Sequence, residues 1–399
     1  MKGNIPRITL FGSNSGNNLG DAAILSSILE SFSKELPNAE FYVPTTKPSF
    51  ISKNYGDKYN VKAVDIMPWT GSLRFLGIPT LLALKKSDIA LICDGIIFGK
   101  KLFNPAFNFL IVLIFVVPLA RLLGCKVVCY SCGIGPFPSK IGEIFARFVL
   151  NSCDLVIMRE NDSKALAEKI GVTKEIHVTG DAAFINPVSS DSVGRDIISR
   201  TGLSPEAKIF GVNVTSYFDA WLGKDEKFGS KEDFIDLLVK SIGEAKKECG
   251  FEVLLFSTHP MDEPAVNQVA SRLGAYKIFN RDYLSHDIQA AMRRCGLFMG
   301  MRFHSVILAS AVETPIVSLI YAPKVRGYMR LLLCPELGVE LAGLTAENLS
   351  KTIIDSWNRR LEIKQTQKSV IDGLKAGAHE ACRIVVERYF GKKENRKAA

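Results

Sequence analysis

Short, strongly apolar runs recur along this chain, and most are followed by a loop and then by residues with helical spacing. In the first half such runs at 5–11, 39–43, 61–66, 88–93, 126–130, 155–158 and 176–178 predict strands, with helices over 22–36, 142–152 and 162–170. In the second half the strands fall at 209–214, 251–257, 276–279, 297–299 and 316–321. Helices are predicted there over 231–249, 262–273 and 285–294, with another that opens after Arg302 and stops at Thr314-Pro315. Repeated strand, loop and helix units imply parallel sheets with helices on both faces. The stretch 186–203 is polar, with Pro187, several serines and two glycines, and reads as a domain boundary. The expected organisation is an α/β protein with Rossmann-like domains at 1–190 and 200–365. A C-terminal helix and basic tail occupy 366–399, the helix (369–390) returning across the first domain. No internal repeat is visible.

With 399 residues the chain is too long for one ordinary core, which agrees with two domains. Nine cysteines without a signal-peptide pattern at the N-terminus point to a reducing, cytoplasmic setting. Cys125, Cys129 and Cys132 are close enough to raise a metal site, but strand alternation and the lack of a partner pair make them core thiols. A net charge of +9 suits an anionic substrate or an anionic membrane surface. No basic helix or aromatic-basic motif speaks for nucleic acid, and Lys392-Lys393 with Arg396-Lys397 reads as a basic tail. The segment 107–123 is apolar without a break from 109 to 117. It is shorter than the roughly 20 residues of a spanning helix and is interrupted by Asn108, Pro118 and Arg121. It reads first as a helix buried in an α/β domain, and second as a peripheral membrane contact.

Loops that follow parallel strands share one sheet edge, where ligands bind in this class of fold. Gly300-Met301-Arg302-Phe303-His304-Ser305 lies at such an edge, and Lys324 lies just beyond the next strand. Arg302, His304 and Lys324 together suggest an anionic substrate and a proton donor; otherwise His304 caps its helix and the two cations are ordinary surface residues. Near the start, a glycine- and asparagine-rich loop from Gly12 to Asp21 joins a strand to a helix, a geometry that favours anions. Its spacing matches neither a dinucleotide fingerprint nor a phosphate-binding P-loop, and Asp21 reads as the helix N-cap. Gly133 and Gly135 allow either close approach to a ligand or a tight turn. Arg159, directly after an apolar strand, either meets a ligand or pairs with Glu160 or Asp162. His259 either contacts substrate or hydrogen-bonds the turn before Pro260.

Asn18-Leu19-Gly20-Asp21, Gly133-Ile134-Gly135-Pro136, Arg159, Asp181 before Ala-Ala-Phe, and Arg302-Phe303-His304 with Pro315, Tyr321 and Lys324 are together similar to the polysaccharide pyruvyl transferase family. The resemblance covers most of the chain, and Asp94-Gly95 departs from it where paired glycines are usual. It implies a two-domain architecture like that of GT-B glycosyltransferases, with the site in the interdomain cleft, and transfer of a pyruvate ketal from phosphoenolpyruvate to a sugar. It further implies that Arg159 and Arg302 hold the donor anion and that Lys324 adds a phosphate contact; Asn18, Asp21, Gly135 and His259 complete the expected substrate-binding set.

The chemistry suits these residue types. A donor bearing a carboxylate and a phosphate needs cations, and arginine offers both groups bidentate bonds. His304 is the expected general acid, because an imidazole can carry a proton near neutrality. Neither a cofactor nor a metal is required, since protein cations can stabilise the phosphate charge. The sequence leaves the acceptor sugar open as free, nucleotide-linked, lipid-linked or polymeric; a lipid-linked one would give a cytoplasmic protein with this basic surface and apolar segment a reason to sit peripherally at the membrane. Two rivals share the architecture: a GT-B glycosyltransferase using a nucleotide sugar, and a non-catalytic sugar-binding protein.

Overall fold

The computed structural model describes residues 5–105, 107–216 and 230–391. It forms two compact units, the first made of Met1–Gly16, Ile24–Ile185 and Leu374–Ala399, the second of Asn17–Ala23 and Asn186–Gly373.

The first unit carries β1 (Arg7–Phe11), β2 (Glu40–Thr45), β3 (Val61–Asp65), β4 (Ile89–Ile92), β5 (Lys126–Cys132), β6 (Leu155–Met158) and β7 (Ile176–Val178). They pair in the order β3-β2-β1-β4-β5-β6-β7, every neighbour parallel. The second unit carries β8 (Ile209–Asn213), β9 (Glu252–Ser257), β10 (Tyr276–Phe279), β11 (Leu297–Gly300), β12 (Ile316–Ile320) and β13 (Gly338–Glu340), in the order β10-β9-β8-β11-β12-β13, again all parallel. Central strands such as β4, β6, β8 and β12 are buried along their whole length. Helices cover both faces of a parallel sheet, so its strands read as continuous apolar runs, which is why they were legible. Strand order reverses at β1/β4 in the first unit and at β8/β11 in the second, and ligands of doubly wound sheets bind beside such reversals.

Four local expectations are corrected. The boundary stretch 186–203 contains a helix that its polar composition did not announce, Asp191–Arg200, which packs on the helix Ser285–Met292 so closely that a Cβ on Gly194 would lie 2.5 Å from the Ala290 carbonyl oxygen. Its buried side is only Gly194, Ile197 and Ile198, too narrow a stripe to stand out among serines and charges. The first helix begins at Leu19, not at 22, so Asp21 lies in its first turn instead of capping it. Asn18 does the capping, its Oδ1 accepting from the Gly20 N–H at 3.0 Å. The final helix, Arg360–Phe390, starts well before 369. The apolar helix Leu110–Leu122 is buried on one side only: Phe115 is 54% and Leu122 83% exposed. Short helices at Pro48–Tyr55, Ile78–Lys86, Pro323–Leu331 and Ala346–Asn358, and the edge strand β13, were not foreseen. The basic tail beyond 391 lies outside the described residues. Cys125, Cys129 and Cys132 are buried in the first unit's core, and the Cys129 thiol is held well above its ordinary pKa by its hydrogen bond with Cys132 and by burial.

Candidate functional site

In the second unit the reversal between β8 and β11 is tied together by one side chain. Asn213, the last residue of β8, is completely buried; its Oδ1 accepts from the Arg302 backbone N–H at 3.0 Å. Its Nδ2 donates to the Phe256 carbonyl at the end of β9 at 2.9 Å. Three strand ends thus converge on one amide, which sets where the chain leaves β11. Arg302 follows as the residue before the helix Phe303–Ala311. Its Nε donates to Asp262 Oδ1 at 2.6 Å, and Nη2 approaches Thr215 Oγ1 at 3.4 Å. The Asp262 side chain is fully buried, and its second oxygen accepts from the Thr258 N–H and hydroxyl, both at 3.1 Å. The carboxylate is therefore satisfied and serves as a rigid anchor for one edge of the guanidinium. No described residue accepts from Nη1 of Arg302, whose side chain is 19% exposed.

His304 lies in the first turn of the same helix, against the start of the helix Leu19–Glu35. The contact is so close that a Cβ on Gly20 would lie 2.2 Å from both Cγ and Nδ1 of His304, so only glycine fits there. The entry to that helix is docked in the second unit by two further bonds: Leu19 N–H to the Thr258 carbonyl at 2.9 Å, and Asn280 Nδ2 to the Asn17 carbonyl at 2.8 Å. Asn18 and Asp21 flank this docking. Lys324, exposed in the first turn of the helix Pro323–Leu331, holds its ammonium 5.5 Å from the Phe303 ring centroid, and that ring is 5.4 Å from the His304 ring. Tyr321, buried after β12, has its phenol pushed up to about 12 by burial; the Arg302 charge works against this shift.

His259 caps a short turn at Pro260–Asp262, where its Nδ1 accepts from the Met261 N–H at 3.1 Å. Burial lowers its pKa, the Arg302 charge lowers it further, and Asp262 opposes the shift. An accepting Nδ1 and a lowered pKa both describe a neutral imidazole carrying its hydrogen on Nε2.

Arg159 and Gly135 lie in the first unit. The Arg159 N–H donates to the Cys132 carbonyl at 3.1 Å, continuing β6 beside β5. Its guanidinium is clasped by Glu160 at 2.6 Å and Asp181 at 2.9 Å, while Asp162 takes no part in these bonds. Burial alone would lower its pKa, but the Glu160 and Asp181 charges and hydrogen bonds raise it. Gly133 covers the group, since a Cβ there would lie 2.3 Å from Nη2. The adjoining turn includes Gly135 at φ +81 and a cis Gly135-Pro136 bond, with the Ile134 N–H donating to Ser163 Oγ at 3.1 Å. Asp94, at the β1/β4 reversal, sits at φ +64, a backbone region where glycine is at ease and short Asp and Asn are tolerated. Its Oδ2 accepts from the Ser13 N–H at 2.8 Å.

Arg302, His304, His259, Lys324, Asn18 and Asp21 thus belong to one unit, and Arg159 and Gly135 to the other. Sequence reasoning missed Asn213, Thr215 and Asp262. Asn213 did leave a signal, a polar residue inside an apolar strand pattern. Among the described residues no group of three or more His, Cys, Asp or Glu side chains is placed to hold a metal ion.

Comparisons with known proteins bear on family and fold. The family model for polysaccharide pyruvyl transferase matches residues 18–323. The amylovoran biosynthesis protein AmsJ of Erwinia amylovora is 25% identical over 385 residues, covering 85% of this chain and 89% of AmsJ. Among solved structures, a UDP-GlcNAc 2-epimerase from Methanocaldococcus jannaschii superposes with a TM-score of 0.60 at 14% identity, over 96% of this chain and 99% of that one. A glycosyltransferase from Rickettsia africae does so with a TM-score of 0.59 at 12% identity, over 98% and 100%. These likenesses establish the GT-B-like α/β fold.

Proposed function

The chain belongs to the polysaccharide pyruvyl transferase family, and we propose that it builds a cyclic pyruvate ketal on a sugar of a polysaccharide or its precursor, with phosphoenolpyruvate as donor. The observation that carries this reading is the cluster in the second unit, where Arg302, anchored through Nε and with no described acceptor at Nη1, immediately precedes the helix whose first turn holds His304. In the proposed reaction, Arg302 binds the donor anion through Nη1 and Nη2, and Lys324 meets the phosphate. His304 gives a proton to the methylene carbon of the enol. A sugar hydroxyl adds to the adjacent carbon and returns its proton to the imidazole. The carbon–oxygen bond to phosphate then breaks, and a second hydroxyl closes the ketal while its proton leaves on the phosphate. His259, neutral and with its hydrogen on Nε2, supplies a hydrogen bond without adding charge. Arg159 serves as a positioning residue: clasped by Glu160 and Asp181, it shapes the Gly133–Pro136 turn and does not itself take the anion. A relative named for amylovoran biosynthesis supports a polysaccharide product, and no cofactor enters the scheme.

Phosphate release from phosphoenolpyruvate, measured over a panel of sugar acceptors, tests the reading. Acceptor-dependent release that His304→Ala lowers by about a hundredfold or more supports it. Full-rate release by that variant removes His304 from the acid role. If no acceptor works, calorimetry decides: binding of a nucleotide sugar instead of phosphoenolpyruvate would overturn the donor assignment.

A further inference from the structure

Among the described residues, fifteen large apolar side chains are well exposed, and ten of them fall between Trp69 and Phe148 of the first unit. Three helices present most of these: Ile78–Lys86, Leu110–Leu122 and Lys140–Ser152, the middle one packed against both others. All three bury their inner stripes in one core, through residues such as Leu84, Val116 and Val149. Their outer stripes therefore share one side of the sheet. An ordinary surface helix turns polar residues outward. Here the outward positions are Ile78 and Leu82 on the first helix, Phe115 and Leu122 on the second, and Ile144 and Phe148 on the third. From Leu110 to Ala120 the middle helix has no polar side chain at all.

The charge around this face is one-sided. Residues 67–152 contain nine Lys and Arg against three Asp and Glu, in a chain whose whole net charge is +9. Exposed Lys85, Lys86, Arg121, Lys140 and Arg147 border the apolar stripes. Thirteen residues make a helix of about 20 Å, too short for a hydrocarbon core of about 30 Å. No described helix is long and apolar enough to cross a membrane. An apolar stripe edged by cations, on a helix that cannot span, is the make-up of a segment lying in the plane of a bilayer surface.

We propose that this three-helix face docks the protein on an anionic bilayer, with Phe115, Leu122 and Phe148 entering the interface and the bordering cations meeting lipid headgroups. A second copy of the chain is a poorer occupant, because a two-fold contact would set this positive border against its own like. An acidic lipid surface supplies the opposite charge and asks no hydrogen bond of an all-apolar stripe.

Vesicle co-sedimentation of the full chain is the test, comparing phosphatidylcholine alone with an equal mixture of phosphatidylcholine and phosphatidylglycerol. Binding to the mixed vesicles at least about tenfold stronger, and weakened by salt, is expected. Phe115→Glu with Leu122→Glu should lower it by about tenfold or more, because charge replaces inserted apolar area. Lys85→Ala with Lys86→Ala, which leaves every apolar contact in place, should lower it by a smaller factor and flatten the salt dependence. Equal binding to both vesicle types, no binding, or binding indifferent to the Phe115/Leu122 pair would overturn the proposal. So would a dimer in sedimentation velocity that the same pair dissolves.

Discussion

Two arginines in this molecule each follow a buried parallel strand, and their guanidinium groups are held differently. Arg159 follows β6 in the first unit and Arg302 follows β11 in the second, each just past the end of a buried parallel strand. Arg159 is clasped on two edges by Glu160 and Asp181, and only 6% of its side chain is exposed. Arg302 has one edge fixed by the buried Asp262, while Nη1 has no acceptor among the described residues. A guanidinium held on two edges organises the backbone around it; one held on a single edge is aimed and can still bind. Position after a strand therefore does not by itself tell an open cation from a clasped one; the count of carboxylates around it does.

The largest effect should come from breaking the first of these clusters. Arg159→Met strands two carboxylates, one of them nearly fully buried, and should cost about 3–5 kcal/mol in urea unfolding. A loss below about 1 kcal/mol would mean that the cluster is not structural and would erase the distinction between the two arginines.

The glycines beside each site give the next test. Gly20→Ala puts a methyl group where His304 lies, and Gly133→Ala puts one where Arg159 lies. Each should destabilise by about 1–3 kcal/mol through overpacking. Only Gly20→Ala should also lower turnover of the folded protein strongly, because it displaces the proposed acid. Equal loss of turnover in both variants would argue that the Gly133 turn acts on substrate directly.

Arg302→Lys keeps the charge but loses the fork, so donor affinity measured by calorimetry should fall about tenfold, or roughly 1.4 kcal/mol. Unchanged affinity would leave the cation with Asp262 alone and make the two arginines alike after all.

The smallest effect concerns pH. The folded protein keeps His259 neutral, so its pKa lies below the ordinary 6.5. Below pH 6.5 the unfolded chain takes up this proton before the folded one does, and stability falls as the pH drops. His259→Asn preserves an acceptor for the Met261 N–H and removes the titration. It should flatten the stability slope below about pH 6.5 by at most about 1.4 kcal/mol per pH unit. An unchanged slope would show that burial and the Arg302 charge together do not lower the His259 pKa on folding.

Strands and most helices were legible because their signals are local. β6, β7, β10 and the helix Lys231–Cys249 fall where the apolar spacing puts them, and the runs buried on both faces announced parallel sheets. Arg302, His304 and Lys324 could be singled out for the same reason, as polar residues at the ends of apolar runs. The helix Asp191–Arg200 escaped notice because three buried positions make too faint a period.

What the chain alone determined, then, is the set of elements, the parallel sheets they form and the kind of chemistry their ends can carry, since propensity and periodicity act between near neighbours. Tertiary structure decided which cation is locked and which stays open. Arg159 meets Asp181 22 residues later, Arg302 meets Asp262 40 residues earlier, and Asn213 holds the Arg302 backbone from 89 residues away. It also joined Asn17–Ala23 to the second unit, where Gly20 meets His304. A carboxylate's distance in space is set by sheet order and by the packing of whole elements, and no spacing along the chain encodes it.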